Sequence, residues 1–205
     1  MTSLTNIAIT NPNTLTSYNL RPATLEDAFE IWSVMDTCYQ TMEHKDYFLC
    51  DDLDYVKDIL SGHGFGIAAC DKNGKIVGNL LVKYPGLTEE NLGRDVFKST
   101  HDTLANSAKY TIPCNIPLSS ENLNRVLHMD SASVLPHHRG HGLEGKMLAY
   151  AETLINTSKF QYAFATVSPQ NTASLKTLKK NGYELMATKE KYGNLIRCIM
   201  LKILS

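Results

Sequence analysis

Residues 134–145 read VLPHHRGHGLEG. Within them, Gly140-His141-Gly142-Leu143-Glu144-Gly145 fits G-x-G-x-x-G, the spacing that opens dinucleotide-binding βαβ units. The residues before it, 125–134, alternate as a strand. After it, Leu143, Met147, Leu148, Ala151, Leu154 and Ile155 recur at helical spacing and predict a helix over 142–158. Gly140 and Gly142 let the backbone turn tightly into that helix. Free N–H groups and the positive end of the helix dipole then favour a phosphate, to which Arg139 can add a contact. Taken alone, the loop suits a phosphate and a plain strand-to-helix turn equally well.

The flanking chain decides against a dinucleotide. That reading needs a carboxylate at the end of the next strand, about 20 residues past the glycines, to hold the ribose. Strand 161–167 instead continues Ser168-Pro169-Gln170, and too little chain follows Gly145 for the remaining βα units. What precedes the loop is also wrong for it. Residues 18–21 are extended, and Thr24 with Asp27 three positions on forms a capping box. Ala28, Ile31, Trp32, Met35 and Cys38 then predict a helix to about residue 39, followed by a shorter one over 52–60. Two apolar runs, 65–70 and 75–84, flank Asp71-Lys72-Asn73-Gly74 and predict an antiparallel hairpin. A polar stretch, 85–124, holds Pro85, Pro113 and Pro117 and shows weak helical periodicity over 88–96 and 101–109. Beyond the loop come strand 161–167, a helix over 171–180 ended by Asn181-Gly182, and strands 183–188 and 195–203 around Tyr192-Gly193-Asn194.

The order β-α-α-β-β-β-α-β-α-β-β, over about 18–203, resembles the GNAT superfamily of N-acetyltransferases. Three places carry the resemblance. Residues 134–142 are similar to that family's strand exit and Q/R-x-x-G-x-G/A loop, with Arg139 and Gly142 in register. Asn171-Thr172-Ala173-Ser174 resembles the start of its last helix, and Lys179-Lys180-Asn181-Gly182-Tyr183 resembles its K-x-G-F/Y ending. The resemblance implies an α/β fold: a mixed, largely antiparallel twisted sheet flanked by helices, with one parallel, splayed strand pair. It implies one domain over 18–205 with an insertion at 85–124; the Thr, Asn and Ser content of 1–17 reads as a loose arm before it, with a short strand at 7–10. It further implies acetyl-CoA as acyl-donor cosubstrate, its pyrophosphate on the amides of Arg139, Gly140, His141, Gly142, Leu143, Glu144 and Gly145. The pantetheine arm would pair with backbone near Val134, and Asn171 with Ser174 would meet the pantetheine or acetyl end. Two positions depart from the pattern. Glu144 stands where Gly or Ala is usual, and a carboxylate there is expected to point outward. Leu178 stands where many relatives place a thiolate-protonating tyrosine.

Acetyl transfer to an amine requires the neutral amine, so a base is needed. Along 125–134, Val126, His128, Asp130, Ala132 and Val134 share one face, and Leu127 and Met129 lie on the other. His128 and Asp130 break that face's apolar pattern, which marks them as candidate catalytic residues. Their i, i+2 spacing is similar to the paired histidines of one branch of the family, the serotonin N-acetyltransferases, with Asp130 in the second place. The same pair also suits a solvent-facing strand end.

The chain has 205 residues and a formal net charge of −1, with apolar residues at 43%. That balance argues against nucleic-acid and membrane-surface partners, which reward a basic excess. No apolar run approaches the ~18 residues of a membrane span, and the first residues lack the basic and apolar segments of a secretory signal. Cys38, Cys50, Cys70, Cys114 and Cys198 form no C-x-x-C pair, which fits reduced thiols in a cytoplasmic protein. His137-His138-x-x-His141 lacks a fourth partner at a telling spacing, so no metal is assigned. The reading is therefore direct acetyl transfer, in a ternary complex, to a primary amine of a small-molecule or peptide acceptor the sequence does not name. The rival is a catalytically silent CoA-binding module. The long apolar strand 195–203 also suggests a homodimer formed by strand pairing.

Overall fold

The computed structural model of the protein describes residues 7–10, 17–84, 125–191 and 195–205. The insertion 85–124 with its two weak helices, Cys114, the turn 192–194 and most of the arm 1–17 lie outside the described residues. Eight strands are present: β1 (Ile7–Thr10), β2 (Ser17–Pro22), β3 (Gly64–Cys70), β4 (Ile76–Lys83), β5 (Val126–Val134), β6 (Tyr162–Val167), β7 (Glu184–Lys191) and β8 (Leu195–Ile203). The longer helices are α1 (Ala28–Gln40), α2 (Leu53–Asp58), α3 (Leu143–Leu154) and α4 (Thr172–Lys180). The strand order is β1-β2-β3-β4-β5-β6-β8-β7. It is a mixed α/β sheet, with β5 and β6 parallel and the other pairs antiparallel, flanked by helices. Among the described residues no helix is long and apolar enough to cross a membrane. The chain divides into two compact units, the first being Met1–Lys45, Leu49–Leu81 and Ser131–Thr153, the second Asp46–Phe48, Val82–Asp130 and Leu154–Ser205.

In the first unit, β1 pairs with β2 from Ile7↔Leu20 to Thr10↔Ser17, at the short strand expected inside the arm. Arg21, near the end of β2, forks onto both Asp27 carboxylate oxygens at 2.7 Å. Asp27 also accepts the Thr24 N–H at 2.7 Å, so the predicted capping residue closes the first helical turn and binds the preceding strand. From there α1 buries Ala28, Ile31, Val34, Met35 and Cys38, one stripe of a 3.6-residue period. Asp52 caps α2 by accepting the Tyr55 N–H. The helix predicted over 52–60 instead widens into a π-helical turn, Ile59–His63, containing Gly62 at φ 128°. The hairpin between β3 and β4 turns where Asn-Gly predicted, because Asp71 Oδ1 accepts the N–H groups of Asn73 and Lys75 and Gly74 sits at φ 84°. Glu30 of α1 accepts the Ile76 N–H at 2.9 Å and fixes the start of β4. Every residue of β4 is buried. The helix expected over 142–158 ends at Leu154. Asn156 takes over beyond it, its side chain accepting the Ser158 N–H and its carbonyl those of Lys159 and Phe160, an Asx-type turn that competes with the helical bonds.

In the second unit, β5 and β6 pair over three positions, Val126↔Tyr162 to His128↔Phe164. Val126, Tyr162, Phe164, Ile199 and Leu201 form its core. Helix α4 closes with the Tyr183 N–H on the Leu178 carbonyl and the Gly182 N–H on that of Lys179, with Gly182 at φ 84°. This left-handed helix stop explains the Asn181-Gly182-Tyr183 ending. Strand β8 is bonded on one edge to β6 over Cys198–Ile203 and on the other to β7 over Leu195–Leu201, so it lies inside the sheet.

Two outcomes test this packing. A Cβ on Gly78 would stand 3.0 Å from the Ser133 carbonyl oxygen, a backbone atom that cannot rotate away. Gly78→Ala should therefore cost about 1–3 kcal/mol in urea unfolding. The Arg21 guanidinium holds the Asp27 carboxyl below its ordinary value. Its folded-state pKa being depressed, the pair's stabilisation is present above the unfolded value of about 3.9 and is lost as pH falls through the folded one. The stability gap between wild type and Asp27→Asn should accordingly narrow below about pH 4 in acid titrations of the melting temperature.

Candidate active site

Strand β5 leaves the sheet with the Leu135 N–H on the Val77 carbonyl, 2.9 Å. Pro136 then opens a single helical turn, Pro136–His138, and the chain reverses through Gly140 at φ 81° and Gly142 at φ 69° before α3 begins at Leu143. Nothing lies within 4 Å of a Cβ built on either glycine, so both stand in open space just ahead of a helix N-terminus. That is a fitting cradle for a pyrophosphate. Arg139 is exposed, and its Nε donates to the Val134 carbonyl at 3.0 Å. Glu144 is half-buried in the first turn of α3.

The loop rests on Tyr18 of β2, a residue the sequence did not single out. Tyr18 is buried with Val77 and Leu143, and Val134 and Leu135 pack against that cluster. Its hydroxyl meets His138 Nδ1 at 3.1 Å, and its ring makes edge contacts with His138 and His141 at centroid distances of 5.8 and 5.5 Å. His141 Nδ1 lies 3.2 and 3.0 Å from the carbonyl oxygens of His138 and Arg139. Both partners only accept, so Nδ1 carries the proton and donates. Two of the three loop histidines thus buttress the turn.

The second unit holds the other predicted residues. Asn171 caps α4, its side-chain oxygen accepting the Ser174 N–H at 3.2 Å. Leu178 is buried at 3% exposure on the inner face of α4. His128 and Asp130 do come together, with Nδ1 3.2 Å from Oδ1. His128 is only 2% exposed, so it is not a solvent-facing strand end. A carboxylate accepts, so Nδ1 is the nitrogen that donates to it, and in the neutral ring Nε2 carries the lone pair. Phe164 of β6 stacks on the imidazole, ring centroids 4.2 Å apart and planes 12° apart.

A third group belongs to this cluster and was missed in the sequence. Lys83, the last residue of β4, places Nζ 3.1 Å from the same Asp130 oxygen and is itself buried. Its signal was faint: one cation ending an otherwise apolar strand.

Cys38, Cys50, Cys70 and Cys198 are free thiols. Burial pushes the Cys38 thiol up, with the Arg139 guanidinium beside it pulling the other way. Burial likewise raises Cys70. Burial together with Asp36 and Asp51 raises Cys50 to about 11. These three thiols are held away from the thiolate form that nucleophilic catalysis needs.

No family model and no curated protein matches the chain. Solved structures do. A GNAT-family acetyltransferase of Streptococcus pneumoniae superposes with a TM-score of 0.62 at 15% identity, covering 92% of this chain and 99% of that one. The Salmonella typhimurium protein solved with its cofactor acetyl-CoA gives 0.61 at 16% identity, covering 92% and 94%. The ribosomal-protein-S5-alanine acetyltransferase of Vibrio fischeri gives 0.62 at 14% identity, covering 97% of each. These likenesses agree with the mixed sheet, its single parallel strand pair and the flanking helices. The chain has the fold of the GNAT acetyltransferases.

Proposed function

We propose that this protein is an acetyl-CoA-dependent N-acetyltransferase that acylates a primary amine by direct attack in a ternary complex. The observation that carries the reading is the open glycine turn at the N-terminus of α3, on the GNAT fold, one member of which was solved with acetyl-CoA. In this reading the amides of residues 139–145 hold the pyrophosphate, with backbone near Val134 pairing with the pantetheine. Arg139 leaves the Val134 carbonyl to meet a phosphate oxygen. The short parallel register of β5 with β6, three residue pairs, supports the splayed pair that the fold uses to admit the cosubstrate. Asn171 and Ser174 serve the pantetheine or acetyl end.

His128 is the general base. Asp130 fixes its ring and tautomer, leaving Nε2 to take a proton from the acceptor amine, directly or through a water. The amine nitrogen bonds to the thioester carbonyl carbon, the C–S bond breaks, and the electron pair leaves on sulfur. With Leu178 in place of a tyrosine, the departing thiolate takes its proton from water; model thiols have a pKa near ~8.5, so the group leaves without a dedicated acid. The raised thiols of Cys38, Cys50 and Cys70 favour direct attack over an acyl-cysteine. A second reading, a silent CoA-binding module, draws on the buried Leu178 and on Glu144 in the first turn of α3.

Calorimetry with acetyl-CoA, CoA and NADH should show binding of the first two only, and Gly142→Ala should weaken acetyl-CoA about tenfold by straining a φ of 69°. Absence of CoA binding would sink the reading. Thiol release from acetyl-CoA should be followed with polyamines, amino acids, aminoglycosides and peptide N-termini. Turnover on one class, falling about 10²–10⁴-fold in kcat/KM for His128→Gln, is expected. Binding without turnover on any acceptor favours the silent module.

A further inference from the structure

The Asp130 carboxylate does not serve His128 alone. Its Oδ1 is shared, 3.1 Å from Lys83 Nζ and 3.2 Å from His128 Nδ1. The three side chains are 4%, 12% and 2% exposed, so solvent screens these charges little. A buried carboxylate demands a compensating cation. Were the imidazole its sole partner, the cheapest compensation would be a proton on Nε2, and His128 would sit as imidazolium, unable to accept from an amine. Lys83 supplies the positive charge from the neighbouring strand, so the imidazole need not. On β5 Asp130 faces His128, from β4 Lys83 faces Asp130, and from β6 the uncharged Phe164 ring stacks on the imidazole.

We infer that Lys83 is a positioning residue that keeps His128 in its neutral, proton-accepting form by neutralising Asp130. The inference rests on His128 as the general base, and it specifies what sets the pH range of that base. Lys83 and Asp130 act on the imidazole in opposite directions. Lys83 opposes a charge on it, and Asp130 favours one.

The test is a titration of the His128 C2 proton by NMR in the full-length protein, assigned by its loss in His128→Gln, together with the acid limb of kcat/KM. In Lys83→Met the His128 midpoint and the acid limb should both move about one pH unit higher, a tenfold change in proton affinity. Lys83→Gln, which keeps an N–H for Asp130 and drops the charge, should move them the same way. Lys83→Arg should leave both where they are, and Asp130→Asn should move the midpoint lower. A Lys83 role that was only structural would reduce kcat/KM at every pH and move neither midpoint. An unmoved or lowered His128 midpoint in whichever neutral Lys83 variant keeps the wild-type circular dichroism overturns the inference; if neither keeps it, an Arg variant that shifts the midpoint does so. A His128→Gln protein with full kcat/KM and an intact acid limb removes the general-base reading instead, and the NMR midpoints still report whether Lys83 acts on His128.

Discussion

The bond from the Leu135 N–H to the Val77 carbonyl is the last tie between β5 and β4 before the chain turns into the glycine loop. Everything the loop offers depends on where that tie puts it. One residue on, Gly78 lets the Ser133 carbonyl come to 3.0 Å from where a Cβ would stand. Asn79, fully buried, uses its amide to bind the Ser131 carbonyl. Three successive β4 positions thus govern how β5 ends: a backbone acceptor, a missing Cβ and a buried amide donor. Strand ends usually fray, because they are held on one side only. Here the end is held by groups that tolerate little displacement, and Pro136 with its fixed φ starts the turn directly after it.

Much of this was legible in the sequence because it is local. The hairpin turn, the Thr24–Asp27 cap, the left-handed stop at Gly182 and the glycine loop each declare themselves within about six residues. Their physics is backbone dihedrals and short side-chain bonds. The His128–Asp130 contact was legible for a related reason, since a two-residue step along a strand returns to the same face. What escaped is non-local. Tyr18 sits in a short extended segment with nothing to mark it, and its role exists only because residue 138 arrives beside it. Lys83 ends an apolar strand and reads as a solvated terminus until Asp130 is found opposite. Helix α3 stops early through competition that periodicity does not register: Leu154 and Ile155 keep the apolar rhythm while Asn156 diverts the backbone.

Charge is treated differently on the two sides of this comparison. Arg21 and Asp27 form a bidentate pair that joins a strand to a helix, and Asp27 closes the cap at Thr24 with the same carboxylate. Asp130 brings two donors from different strands to one oxygen. Arg197, buried on β8, takes a third course: it donates to the backbone carbonyls of Ile196 and Asp46, pinning a short turn with a charged group. In the Asp130 cluster the geometry gathers a carboxylate, an ammonium and an imidazole at one oxygen.

The hydroxyl–imidazole contact between Tyr18 and His138 joins positions 120 apart in the chain. Closing so long a segment carries a large entropic cost before any contact repays it. The support of the loop is therefore among the non-local contacts that slow folding. A chain that has made its hairpins and helices but not this contact would have native secondary structure and an unbuttressed loop. The competence of the loop thus hangs on the docking of β2, a segment far from it in the chain.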